Sequence, residues 1–261
     1  MRIIFNADDF GFSDDTVDAT IEAFEAGLLS SATIMPAMPA TERACDFAAR
    51  HSRFSFGVHL TLVGNGEERP VSAAAEVPGL VDGDGRLRPT NQLRVRALVG
   101  AIDEAQVGLE IRAQIERVRS LGVEPSHVDS HQHLHKYGAV LRVLDQELRS
   151  LDIDRVRGVQ DLYLKRPLLS PTRILGERWS RDLSSRFAST DHFYMPATAG
   201  DEDWRELLPR LAGFPEDATL EIGVHPGRSE DWRRAESEGL RAFVPAARAD
   251  GHVTATWRDV G

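Results

Sequence analysis

Short apolar runs alternate with amphipathic stretches along the whole chain, and this alternation restricts the possible folds more than any other feature of the sequence. Strand-like segments fall near 2–7, 31–35, 55–60, 126–130, 153–157, 219–224 and 252–257. Between and after them lie helical patterns near 14–28, 40–51, 109–121, 138–150, 171–187, 201–212 and 231–248. Strands separated by helices cannot pair as hairpins, so the order predicts an α/β fold with mostly parallel strands. Seven such segments in 261 residues suit a single-domain, TIM-barrel-like (β/α) barrel spanning residues 1–261, and a hydrophobic content of 41% is enough for a sizeable core.

Several of these runs deliver an acid or an imidazole near their exit. Ile3, Ile4 and Phe5 lead into Asn6, Ala7, Asp8 and Asp9, while the helical pattern that follows takes Ser13 or Asp14 as its cap, leaving the two acids free for another role. The run from Phe54 to Leu60 carries His59, and Thr219–Val224 ends at His225 just before Pro226 and Gly227. A lone histidine in a strand is more often structural than functional. The repetition is what matters, because parallel α/β folds collect their reactive groups at the carboxyl ends of the strands.

The run HVDSHQHLH holds four of the nine histidines. Read as an extended segment, it places His127, Asp129, His131, His133 and His135 on one face. Packed imidazoles must each find a partner and resist mutual protonation, which a divalent cation would resolve. An open catalytic site keeps about three protein ligands, so some of these groups are expected to orient ligands or contact substrate.

Residues 63–95, rich in Gly and Pro, read as a lid-like insertion with a turn at Asp82–Gly85. Cys45, the sole cysteine, reads as a small buried hydrophobe on a helix. A net charge of −10 disfavours nucleic acid. Within that acidic background, Arg155, Arg157, Lys165 and Arg166 form a local basic cluster, readable as solvated surface or as a contact for an anionic group. No stretch is long and apolar enough to span a bilayer, and Met1–Arg2 run straight into a strand with no secretory pattern, so no membrane association and a cytoplasmic location are expected.

NADDFG at 6–11, HLTL at 59–62, HVDSHQHLH at 127–135 and EIGVHPG at 221–227 together resemble the motifs of the YdjC-like carbohydrate deacetylases, the family of chitooligosaccharide deacetylase. PGLVDGDGRL at 78–87 and TDHFYM at 190–195 are also similar. The resemblance implies a barrel-like fold and removal of N-acetyl groups from a small-molecule amino sugar or chitooligosaccharide. It implies one divalent ion, Zn or Mg, held by Asp9, His59 and His131. Asp8 stands in the place of the catalytic base, and His225 is where the general acid is expected. Asp129, His133, His135 and Arg157 are expected to bind substrate or to orient ligands, and the family habit is a homodimer. Another metal hydrolase on the same barrel, a phosphoesterase or cyclic amidase, is the alternative within enzymes. A catalytically silent sugar-binding protein is the alternative outside them.

Overall fold

The computed structural model describes residues 1–66, 68–164, 171–196 and 203–261. In chain order the elements are β1 (Arg2–Phe10), α1 (Asp14–Glu25), β2 (Ser31–Ile34), α2 (Thr41–Arg50), β3 (Ser55–Leu60), α3 (Thr90–Leu98), α4 (Glu104–Ser120), β4 (Val128–Ser130) and α5 (Gly138–Ser150). There follow α6 (Pro171–Ser184), β5 (His192–Tyr194), α7 (Leu208–Leu211), β6 (Thr219–Val224), α8 (Asp231–Ala249) and β7 (Val253–Thr254).

All pairings between strands are parallel, in the order β4-β3-β2-β1-β6-β5, with β7 beside the start of β1. The sheet curls into a partly closed barrel surrounded by helices. The strand expected at 153–157 is present only as single bridges, Val156 to Val128 of β4 and Arg155 to Ala188. In its place His192–Tyr194 forms a strand that the alternation of the sequence did not reveal. At three residues, β5 is too short to show a period.

Two cores follow from this curl. Apolar helix faces pack outside the sheet, where Phe10 and Phe24 each make ring contact with Phe47 and Phe56, which also touch each other. Cys45 is buried in that layer, and burial pushes its thiol up to about 12, so it is an inert apolar group as expected. A smaller cluster of Ile4, Ala255, Trp257 and Val260 closes the amino-terminal end of the barrel. Trp257 stacks on His127 with ring centroids 4.4 Å apart. Gly57 permits this arrangement, since a Cβ there would stand 2.6 Å from both the ring and the carbonyl of His127.

Local chemistry explains the ends of the elements. Ser13 caps α1 and forms a reciprocal capping pair with Thr16, as the sequence suggested. The turn at Asp82–Gly85 forms, with Gly85 at φ 71° and Asp82 accepting from the backbone of Asp84 and Arg86. The loop after β3 is tied to α4: buried Glu110 accepts from the backbone of Val71 and Ser72, and Gln106 from Gly79. No described helix is long and apolar enough to cross a membrane.

Candidate metal centre and active site

The site begins with an irregularity in β1. Between Ala7 and Phe10 this strand has one more residue than β2 opposite it, and Asp9 sits at φ 57°. Adjacent residues of a regular strand point to opposite faces; the bulge lets the side chains of both Asp8 and Asp9 turn to the carboxyl end of the barrel. Asp is among the residues that best tolerate this left-handed backbone.

Asp9 Oδ1 lies 3.4 Å from His59 Nε2 and 3.3 Å from His131 Nδ1, and it accepts no well-formed hydrogen bond. His59 comes from the end of β3 and His131 from the residue after β4. These three residues are a grouping able to hold a metal ion. Two donors each about 2.1 Å from a tetrahedral centre stand about 3.4 Å apart, so the spacing fits a shared cation better than direct hydrogen bonds. One carboxylate and two imidazoles suit zinc.

The partners of the triad hold it in place. Asp129 Oδ1 is 2.7 Å from His59 Nδ1, which fixes the ring with Nε2 facing Asp9. Burial alone would depress His59, but Asp129 and Asp9 push it up to about 10. Arg233 of α8 donates to Asp9 Oδ2 at 2.8 Å, leaving Oδ1 free for a ligand. Thr33 donates to Asp129 at 3.1 Å.

Asp8 is bound differently. Both of its oxygens accept from Arg157 at 2.6 Å, and Asn6 donates to it at 2.9 Å. Burial would raise this carboxyl, yet Arg157 holds it well below the usual carboxylate range, with His59 and His225 adding to the effect. The same guanidinium reaches Asp129 at 2.5 Å and Glu221 at 2.7 Å and lies over the Phe193 ring. Glu221 is pushed up to about 7 by burial, against the pull of Arg157. His225, at the exit of β6, has its Nδ1 3.1 Å from Glu236 of α8. Burial would lower His225, but Glu236 raises it to about 9.

Two sequence expectations require correction. The HVDSHQHLH run is not one extended face: β4 ends at Ser130, and Gln132 and His133 adopt φ 57° and 54° in a 3-10 segment. His127, just before β4, stacks on Trp257 and belongs to no metal grouping among the described residues. His135 is buried with Nδ1 2.7 Å from Ser130 Oγ, while His133 packs edge-on to Phe193. Both line a cavity of about 450 Å³ with Tyr137, Tyr163 and Trp179, and burial keeps both neutral. Arg157 is not solvated surface charge: it is fully buried and pairs with Asp8, Asp129 and Glu221, a place that fits the other expectation, that of orienting the groups around the site. Lys165 and Arg166 lie outside the described residues.

The sequence reading missed the roles of Asn6, Thr33, Glu221, Arg233 and Glu236. Glu221 carried a signal, since an acid inside a continuous apolar strand demands a buried partner. Arg233 and Glu236 carried none on their polar helix.

The family model for YdjC-like protein matches residues 2–256. The chain belongs to the YdjC-like family. A carbohydrate deacetylase of Brevibacillus brevis is 37% identical over 233 residues, 87% of this chain and 81% of that one. Another, of Halalkalibacterium halodurans, is 33% identical over 238 residues, covering 91% and 90%. The crystal structure of a candidate cellobiose-phosphate cleavage protein from Enterococcus faecalis superposes with a TM-score of 0.77 at 23% identity, covering 98% of this YdjC-like chain and 97% of that one. That likeness establishes the shared fold.

Proposed function

We propose that this YdjC-like protein is a metal-dependent hydrolase that removes N-acetyl groups from an N-acetylated amino sugar or chitooligosaccharide, using one divalent ion. The observation that carries the reading is the unpartnered Asp9 Oδ1, set between two imidazole nitrogens, with a second acid, Asp8, held beside it but outside that triad. The names of the curated relatives support the reaction and the carbohydrate.

An ion bound by Asp9, His59 and His131 would supply Lewis acidity to the amide oxygen and make water more acidic. Asp8 accepts the water's proton. Arg157 fixes the direction of its lone pairs at the expense of basicity, so Asp8 works as an oriented weak base. His225, an imidazolium held by Glu236, donates a proton to the departing amine. A second grouping, Asp8, His59 and Asp129, shares His59 with the first, and Arg157 already holds its acids. This favours one ion over the two often used by phosphoesterases.

The deciding experiment loads the protein with Zn or Mg and measures acetate release from N-acetylated mono- and oligosaccharides. Acetate should appear with the wild type, and Asp8→Asn should keep the metal while losing activity by at least about 100-fold. No acetate from any such sugar would overturn the reading.

A pH profile tests the acid. Because the His225 pKa is raised, its charged form is present below about 9 and lost as pH rises through that value. Glu236→Gln removes the main raising influence. The basic limb of kcat/KM should therefore move down toward the ordinary histidine value of about 6.5, whereas an unmoved limb would remove His225 from the role.

A further inference from the structure

We infer that Arg94 is a positioning residue for the metal centre: it latches the left-handed turn at Gln132 and His133 that aims the His131 ring at Asp9. Arg94 lies on α3, in the insertion between β3 and β4, far in sequence from every ligand. Its guanidinium donates to the Gln132 carbonyl at 2.9 Å and to the Gln132 side-chain oxygen at 3.3 Å. Among the described residues Arg94 forms no ion pair, and its buried Nε has no partner. Arg94 is half-buried at the edge of the cavity that His133 and His135 line, and both of its hydrogen bonds go to Gln132, which points to a task at that residue.

The turn needs such help. Gln132 and His133 are consecutive residues at positive φ, where Cβ crowds the following carbonyl oxygen and where Gln and His lack the permissiveness of glycine. The turn directly follows His131, so its geometry sets where that ring points. From within, Ser130 Oγ accepts from the backbone N–H of His135 and closes the loop. Arg94 holds it from without. With the carbonyl of Gln132 released, the backbone can relax from the left-handed region, and His131 Nδ1 leaves its place 3.3 Å from Asp9.

This inference rests on the metal reading of Asp9, His59 and His131, and the experiment separates the two. Zn²⁺ binding to the full-length protein is measured by competition with a chromophoric chelator, and Co²⁺ absorption reports the coordination geometry. Arg94→Ala should weaken Zn²⁺ binding about 10-fold, the loss typical when a partner that orients a ligand is removed, and should change the Co²⁺ spectrum. If Arg94 acted only through its charge, removing a cation near the site would instead tighten binding. Gln132→Gly places the permissive residue in the turn, so in the Arg94→Ala background it should recover most of the lost affinity. Melting of the metal-free proteins identifies any variant that fails to fold, and Arg94→Lys, which keeps one donor to the carbonyl, should then give an intermediate affinity. Unchanged or tighter Zn²⁺ binding in folded Arg94→Ala and Arg94→Lys overturns the latch. A wild type that binds no Zn²⁺ or Co²⁺ overturns the metal reading itself, and the latch with it.

Discussion

Asp9→Ala is expected to strip the protein of its metal. In the proposed site Asp9 is the charged ligand of the triad, and its Oδ1 atom stands 3.3 and 3.4 Å from the two imidazole nitrogens. His59 and His131 would remain, but two neutral donors hold a divalent ion far less firmly than two donors and a carboxylate. The loss of affinity should exceed the roughly 10–100-fold cost of removing an outer partner, and metal retained after dialysis should fall from about one per chain to none. Acetate release should fall with it. The fold should persist, because Arg233 keeps its second partner, Glu230. Stoichiometric metal in dialysed, folded Asp9→Ala would remove Asp9 as a ligand.

Arg157→Met should have the largest effect on stability. The side chain is fully buried and holds Asp8, Asp129 and Glu221 together beneath the site. A methionine fills similar space but leaves three carboxyl groups without their cation, and breaking a buried pair in this way costs about 3–5 kcal/mol. For a chain of this length that corresponds to a fall in Tm of roughly 10 °C, at about 2–4 °C per kcal/mol.

The sign of the pH dependence is distinctive. In the wild type the Asp8 pKa is depressed, so its contribution is present above the ordinary carboxylate pKa and is lost as pH falls through the folded value. In the variant, burial without a cation raises the carboxyl pKa values above those of the unfolded chain, and stability is recovered as pH falls. The gap between wild type and variant in urea or thermal unfolding should therefore narrow from pH 8 to pH 5. Equal stability at pH 8 would show that the network does not hold the barrel together.

Much of the candidate site was legible because its residue types recur at strand exits. Asp8, Asp9, His59 and His225 each follow or end an apolar run, and a parallel sheet brings such ends together whatever the helices between them. His131 was legible only as one of several histidines, since a period of two assumes an extended chain and the strand stops at Ser130. The burial of Arg157 was not legible for a related reason. Nothing in a local stretch of basic residues shows that one of them reaches across the barrel to three acids.

Most of the alternation of strands and helices, the parallel sheet and the residue types that gather at its carboxyl end were readable from local burial periodicity and chain punctuation, whereas β5 and α3 were not. Tertiary structure decided the rest: the bulge that turns Asp8 and Asp9 to the same end, the left-handed turn that separates His131 from His133 and His135, and the buried Arg157 network. Each of these balances an unfavourable local geometry or a buried charge against contacts from distant segments, and such a balance exists only once those segments have met.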